Sequence, residues 1–104
     1  MKKALIICAA GMSSSMMASK TTTYFKDKGL EIEVDAVSAT EGDNMIKTSD
    51  FDLFLISPQT TMFFDKFKKL GDAVNKPVVG IPFQAYVPIP TGIQKMAELI
   101  EESL

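Results

Sequence analysis

The sequence predicts a doubly wound α/β domain, in which helices cover both faces of one parallel four-stranded sheet. Four short apolar runs alternate with four helix-like segments along the 104 residues. Consecutive parallel strands need crossovers, which helices supply with a right-handed sense. With 46% hydrophobic residues, the chain suits one compact core. We therefore predict a three-layer sandwich with strand order 2-1-3-4 and a single domain over 1–104.

The first half of the chain contains two predicted strands and two predicted helices. A continuous apolar run predicts a buried strand over 3–8. The next segment predicts a helix over 14–28, with Gly29 as its C-terminal stop. Polar and apolar residues then alternate over 31–37, so we expect a half-exposed strand at a sheet edge. A short polar helix over 41–49 completes this half.

The second half repeats the alternation. A continuous apolar run over 52–57 predicts a central strand, and aromatic residues at helical spacing predict a helix over 62–70 that stops before Gly71. A short strand over 77–81 and a C-terminal helix over 92–104 follow. With this order, the topological switch point lies between the first and third strands, at their carboxyl ends.

Composition excludes several classes of function. A net charge of −2 offers no electrostatic support for nucleic acid or an anionic membrane. A single cysteine excludes an internal disulfide and fits the reducing cytoplasm. Histidine is absent, which excludes a Cys/His nucleophile pair and leaves no basis for a zinc site, so we predict no metal or cofactor. No targeting or membrane-inserting segment is expected, and we predict a monomer.

Cys8 is the candidate nucleophile, because it ends the first strand just before a loop of small residues and a helix start. Helix N-termini bind phosphate and favour thiolate, so we expect the pKa of Cys8 to be lowered by roughly one to a few units. A lone cysteine is also a common buried hydrophobe, and that alternative stays open. The predicted phosphoryl-binding loop consists of Ala9, Ala10, Gly11, Met12, Ser13, Ser14 and Ser15.

Two further loops are expected beside Cys8 at the switch point. One follows the third strand and contains Ser57, Pro58, Gln59 and Thr60; the other, over 82–86, ends with Tyr86. Apolar residues at this rim are candidates for a docking surface, with Phe63 and at least one of the methionines favoured as core residues instead. These rim residues are Met12, Met62, Phe63 and Tyr86.

The residues after Cys8 discriminate among phosphate chemistries. The Cys-x5-Arg loop of tyrosine phosphatases needs an arginine where this chain has Ser14. The Asp-Pro pair that supplies a general acid in low-molecular-weight phosphatases is replaced by Ser57-Pro58. Arsenate reductases of similar fold need further cysteines. The site is therefore suited to hold a phosphoryl group on sulfur but lacks the groups that would hydrolyse it.

These motifs resemble the enzyme IIB component of the bacterial phosphoenolpyruvate-dependent sugar phosphotransferase system, of the lactose/cellobiose/chitobiose type. The stretch 6–15, Ile-Ile-Cys-Ala-Ala-Gly-Met-Ser-Ser-Ser, is similar to that family's Cys-x-x-Gly-Met-Ser-Thr-Ser-like loop. The Ser57-Pro58-Gln59 stretch is similar to its Gly-Pro-Gln loop, and Tyr86 follows the fourth strand as in the family. The chain departs from the family pattern at Ser57 and over 87–90.

The resemblance implies a phosphoryl relay. A phosphohistidine on enzyme IIA would donate to Cys8, and phospho-Cys8 would pass the group to a β-linked disaccharide bound by the membrane enzyme IIC. The activity implied is that of a protein-phosphocysteine–sugar phosphotransferase. Two alternatives remain: a cysteine phosphatase, which the missing arginine and aspartate disfavour, and a flavodoxin-like binding or regulatory module in which Cys8 is buried and not catalytic.

Overall fold

The computed structural model describes residues 2–8, 11–48, 50–87 and 89–104, without the side chains of 11–14, 48, 59 and 61. The strands and helices, in chain order, are β1 (Lys2–Cys8), α1 (Gly11–Asp27), β2 (Ile32–Ser38), α2 (Ala39–Thr48), β3 (Leu53–Ile56), α3 (Phe64–Ala73), β4 (Val78–Gly80) and α4 (Pro90–Ser103). Two 3-10 segments, Pro58–Phe63 and Phe83–Ala85, follow β3 and β4. No helix among these residues is long and apolar enough to cross a membrane.

The four strands form one parallel sheet in the order β2-β1-β3-β4, which confirms the predicted topology. In the register of β1 with β2, Cys8 lies opposite Ser38. In the register of β1 with β3, Ile7 lies opposite Ile56. The carboxyl ends of β1, β2 and β3 therefore meet at one edge of the sheet.

The core lies on both faces of the sheet, because side chains of β1 alternate between them. Ala4 and Ile6 pack with residues of α1 and α4, whereas Leu5 and Ile7 pack with residues of α2 and α3. All four side chains are fully buried. Burial of a leucine or isoleucine side chain contributes about 1.5–3 kcal/mol, so the continuous apolar run that predicts β1 also anchors the residue that ends it.

β2 is an edge strand, as its alternating pattern predicts, and side chains satisfy part of its outer backbone. The N–H of Val34 donates to Thr22 Oγ1 at 2.9 Å, and the same hydroxyl lies 3.1 Å from the Val34 carbonyl and 2.8 Å from the Ala18 carbonyl. The N–H of Ala36 donates to the Asp35 carboxylate at 2.8 Å. An edge occupied in this way is a poor template for pairing with another strand.

Helix α1 ends as the sequence predicts but begins earlier. Gly29 has φ 76°, its N–H donates to the Lys26 carbonyl and the Leu30 N–H donates to the Phe25 carbonyl, which together make a Schellman cap. At the other end, the helix starts at Gly11 and not at residue 14. The small residues expected in a loop instead form the first helical turn.

The predicted stop of α3 at Gly71 is wrong, because Gly71 lies inside the helix and is buried. A Cβ at this position would lie 2.4 Å from Val78 Cγ2 and 2.8 Å from the Lys76 carbonyl oxygen. The glycine therefore allows α3 to pack closely on the chain that enters β4. The chain reverses after the helix, near Asn75, whose φ is 58°.

The expected start of α3 at residue 62 is also wrong. Met62 and Phe63 lie in the 3-10 segment that precedes the helix, and Phe63 is 40% exposed, so it is not the core residue that the sequence favoured. Phe67 takes the fully buried position on this face. Helical spacing predicted an apolar stripe here, but the residues up to Phe63 belong to a 3-10 segment, whose side chains follow a different period from those of α3.

Candidate active site

Cys8 is the last residue of β1 and lies at the topological switch point, with β2 on one side and β3 on the other. Helix α1 begins at Gly11, three positions later. The thiol forms no disulfide and is 3% exposed. This position places Cys8 just ahead of the N-terminus of a 17-residue helix, where unpaired N–H groups and the helix dipole favour negative charge.

The predicted phosphoryl-binding loop is described only in part. Ala9 and Ala10 lie outside the described residues, as do the side chains of 11–14, which include Met12, Ser13 and Ser14. The backbone from Gly11 onward is helical, and the side chain of Ser15 is exposed. The first helical turn therefore supplies the backbone N–H groups that the sequence assigned to a loop.

Tyr86 is brought to Cys8 from the far end of the sequence. Its hydroxyl donates to Cys8 Sγ at 3.4 Å, and the tyrosine is 8% exposed. The short 3-10 segment after β4 sets this position, since the N–H of Tyr86 donates to the Phe83 carbonyl at 3.0 Å. A buried donor on sulfur stabilises the thiolate relative to the thiol.

The loop after β3 reaches β1 directly before the cysteine. Ser57 is fully buried, and its N–H donates to the Ile7 carbonyl at 3.0 Å, which continues the β1–β3 ladder by one residue. Pro58 is buried and begins the 3-10 segment, whereas the side chain of Gln59 lies outside the described residues. Thr60 is also fully buried and contacts the same Ile7 carbonyl through its hydroxyl.

Two polar contacts near Cys8 were not predicted from the sequence, although Ser57 and Thr60 themselves lie in the loop that was expected beside it. One is the buried pair Ser57 and Thr60, whose hydroxyl oxygens lie 2.8 Å apart. The other is Ser38 and Thr40, whose hydroxyl oxygens lie 2.7 Å apart at the end of β2, in register with Cys8. The hydroxyl residues at the ends of β2 and β3 could have indicated these contacts in the sequence. Hydroxyl residues are common in such turns, however, so their presence alone carries little information.

Six large apolar side chains, which we call the apolar rim, are exposed on segments that follow the carboxyl ends of β1, β3 and β4. Tyr86 is not part of it, because its side chain is buried against Cys8, and the side chain of Met12 lies outside the described residues. Large exposed apolar side chains at such positions mark candidate contact surfaces. The rim consists of Met16, Met62, Phe63, Phe83, Val87 and Ile89.

The hydroxyl of Tyr86 gives a first testable prediction. Tyr86→Phe removes the donor to Cys8 Sγ but keeps the ring, so we expect the pH midpoint of Cys8 alkylation to rise while the free energy of unfolding changes by less than about 1.5 kcal/mol. Alkylation rates by iodoacetamide across a pH series provide the measurement. Tyr24→Phe, on α1, is the matched control and should leave the midpoint unchanged. A midpoint equal to the wild type in Tyr86→Phe would show that the contact does not influence the sulfur.

The fold and the position of Cys8 define a small parallel α/β protein with one thiol at its switch point, and comparisons with known proteins show its family. The family model for the PTS system, Lactose/Cellobiose specific IIB subunit, matches residues 3–102. The chain therefore belongs to the lactose/cellobiose type of EIIB components, which are phosphotransferase elements of sugar transport.

Individual relatives agree with this family. The chain is 33% identical over 86 residues to the oligo-beta-mannoside-specific EIIB component of Bacillus subtilis, covering 83% of this chain and 82% of that protein. It is 22% identical over 100 residues to the lactose-specific EIICB component of Lacticaseibacillus casei, covering 96% of this chain and 17% of that protein. The fold is similar to the lactose-specific IIB component domain of Streptococcus pneumoniae, with a TM-score of 0.81 at 16% identity, covering 98% of this chain and 96% of that one.

Proposed function

We propose that this EIIB component carries a phosphoryl group on Cys8, as a single domain over 1–104. The observation that carries the proposal is the position of the sulfur, which ends β1 just ahead of the N-terminus of α1 and accepts a hydrogen bond from Tyr86. Backbone N–H groups of the loop and first turn, over 10–15, would bind the equatorial phosphoryl oxygens. Phosphoryl transfer needs such positioning and charge stabilisation more than covalent assistance.

The first transfer takes the phosphoryl group from a phosphohistidine of an enzyme IIA protein. The N–P bond of the donor breaks and an S–P bond forms on Cys8, while the proton lost from the thiol ends on the imidazole of the donor. The chain contains no histidine and so no imidazole of its own to accept that proton. A thiolate is both a good nucleophile and a good leaving group, which suits a carrier that must also release the group.

The second transfer passes the group to a sugar. A sugar hydroxyl attacks phosphorus, the S–P bond breaks, an O–P bond forms and the hydroxyl proton is returned to sulfur. We propose a β-linked disaccharide of the cellobiose, lactose or chitobiose class as acceptor, held by a membrane enzyme IIC. The relative from Lacticaseibacillus casei, named as an EIICB component, supports a IIC partner, and such a partner implies action at the cytoplasmic face of the membrane.

The apolar rim is the surface that we propose for docking both partners. Its six side chains lie on segments that follow the carboxyl ends of β1, β3 and β4, the sheet edge where Cys8 is located. Methionine and aromatic side chains adapt to different apolar partners, which a carrier between two proteins requires. Since Cys8 is 3% exposed, residues around the sulfur have to move for a phosphohistidine to reach it.

Burial of the thiol also favours the second candidate, a flavodoxin-like binding or regulatory module in which Cys8 is not catalytic. The two proposals differ in the reactivity of the sulfur. A carrier thiol alkylates quickly at neutral pH, whereas a thiol that only fills space in the core does not.

Intact mass after incubation with a phosphohistidine-charged IIA protein tests the carrier proposal. We expect one added phosphoryl group, and we expect the adduct to show the acid and base stability of a thiophosphate ester. Loss of the group on addition of membranes that contain IIC and a β-linked disaccharide would complete the relay. Absence of an adduct with several IIA proteins, together with slow alkylation of Cys8, would contradict the carrier proposal and favour the binding module.

A further inference from the structure

Two hydroxyl groups are buried directly beside the strand that ends with Cys8. Ser57 and Thr60 are each 0% exposed, and Thr21 is the other fully buried polar side chain among those that the structure describes. The Ser57 and Thr60 hydroxyl oxygens lie 2.8 Å apart. Burial of hydroxyls costs free energy unless they are hydrogen-bonded, so a buried pair of this kind constrains the backbone around it.

The pair is connected to the peptide unit that precedes the cysteine. Thr60 Oγ1 lies 3.3 Å from the Ile7 carbonyl oxygen, and the N–H of Ser57 donates to that same oxygen at 3.0 Å. The Ile7 carbonyl belongs to the peptide bond that joins Ile7 to Cys8. The backbone N–H of Ser57 therefore holds the plane from which the Cys8 side chain projects, and the Thr60 hydroxyl lies beside the same carbonyl oxygen.

The two hydroxyls depend on each other for their hydrogen bonds, because each has only one proton to donate. The Thr60 hydroxyl has one proton and three acceptors in reach: Ser57 Oγ at 2.8 Å, the Ser57 carbonyl at 3.1 Å and the Ile7 carbonyl at 3.3 Å. If Ser57 donates to Thr60 Oγ1, the Thr60 proton is available for a carbonyl. Removal of the Thr60 hydroxyl leaves Ser57 Oγ without this partner in a site closed to water.

We propose that Ser57 and Thr60 are positioning residues, which hold the Cys8 sulfur in line for phosphoryl transfer through the Ile7 carbonyl. The inference rests on the proposed function of Cys8 as phosphoryl carrier. Neither hydroxyl needs to touch the phosphoryl group for this role. A displacement of about 1 Å at a reacting atom costs on the order of a hundredfold in rate, so a small movement of the Ile7–Cys8 peptide is sufficient to be measured.

Three variants separate the hydroxyl from the shape of the side chain. Thr60→Val keeps the branched shape and removes the hydroxyl; Thr60→Ser keeps the hydroxyl; Thr21→Val removes a buried hydroxyl from α1, where Thr21 donates to the Met17 carbonyl at 2.6 Å. Initial rates of phosphoryl uptake from a charged IIA protein are compared at a temperature where each variant is folded. We expect Thr60→Val to be about tenfold to a hundredfold slower, Thr60→Ser to be within about threefold of wild type, and Thr21→Val to be unchanged in rate although less stable.

A second readout keeps this inference separate from the proposed function. Alkylation of Cys8 across a pH series needs no partner protein, and we expect Thr60→Val, but neither Thr60→Ser nor Thr21→Val, to change its rate profile. If the wild type accepts no phosphoryl group, the carrier proposal fails and the alkylation profiles alone decide whether the pair positions the sulfur. The inference is overturned if Thr60→Val matches the wild type in the alkylation profile and, where the wild type accepts a phosphoryl group, in the uptake rate. It is also overturned if Thr21→Val changes these rates as much as Thr60→Val does.

Discussion

Cys8→Ser is expected to lower phosphoryl uptake from a charged IIA protein by roughly a thousandfold or more, as loss of a nucleophile does in other covalent catalysts. A serine hydroxyl is hardly ionised at neutral pH, and the site offers no histidine to activate it. The chain has no second thiol to substitute for Cys8. Intact mass over a time course of incubation measures the difference directly.

The folded structure should survive this replacement, which makes the result interpretable. Serine is slightly smaller than cysteine, and its oxygen can accept the hydrogen bond that Tyr86 donates to sulfur. Urea unfolding of Cys8→Ser should therefore remain cooperative, with a free energy of unfolding within about 2 kcal/mol of the wild type. Wild-type uptake by a folded Cys8→Ser variant would show that another residue carries the phosphoryl group.

Gly92→Ala is expected to have the second largest effect, because α4 touches the segment that holds Tyr86. A Cβ at Gly92 would lie 2.3 Å from the Val87 carbonyl oxygen and 2.4 Å from Val87 Cγ2. That carbonyl also accepts the Ile89 N–H at 2.9 Å, so it cannot move without disturbing the start of the helix. Overpacking of this kind costs about 1–3 kcal/mol, which exceeds the gain of about 1 kcal/mol in helix propensity.

The same substitution should reach the active site, since Val87 directly follows Tyr86. Displacement of Val87 moves Tyr86 away from Cys8, so we expect slower phosphoryl uptake together with a lower urea midpoint. Gly80→Ala is the matched control: its Cβ would lie 3.8 Å from the nearest atom, on the Phe64 ring, which is ordinary van der Waals contact. An unfolding midpoint and an uptake rate in Gly92→Ala equal to those in Gly80→Ala would contradict the packing argument.

Much of this architecture could be predicted from local patterns. Continuous apolar runs predicted β1 and β3 as the central strands, because a strand buried on both faces has no polar positions to alternate. Alternation predicted β2 as the edge, and Gly29 predicted the end of α1 because its left-handed backbone suits glycine. The position of Cys8 at the carboxyl end of β1 followed from the same reasoning, together with the strand order.

Local patterns gave wrong predictions for the end of α3 at Gly71 and for the burial of Phe63. Glycine is common at helix ends, so Gly71 predicted the end of α3. Its lack of a side chain instead allows Val78 to pack against the helix. Phe63 resembles a core position, but a 3-10 segment turns it outward to 40% exposure. Gly71 is decided by contact with the chain that follows the helix and Phe63 by a change of helix type, and apolar periodicity reports neither.

The sequence by itself determined the fold class, the strand order and the candidate nucleophile, because these depend on burial patterns and on residue types that are present or absent. It also predicted that the loops over 57–60 and 82–86 lie beside Cys8, but only the tertiary structure decided which of their atoms make contact. The tertiary structure placed Tyr86, 78 positions away in sequence, at 3.4 Å from Cys8, and it brought the Thr60 hydroxyl to the Ile7 carbonyl, 53 positions away. The physical reason is that strand periodicity reports which face a residue takes, whereas contacts between distant loops depend on how complete helices and strands pack together.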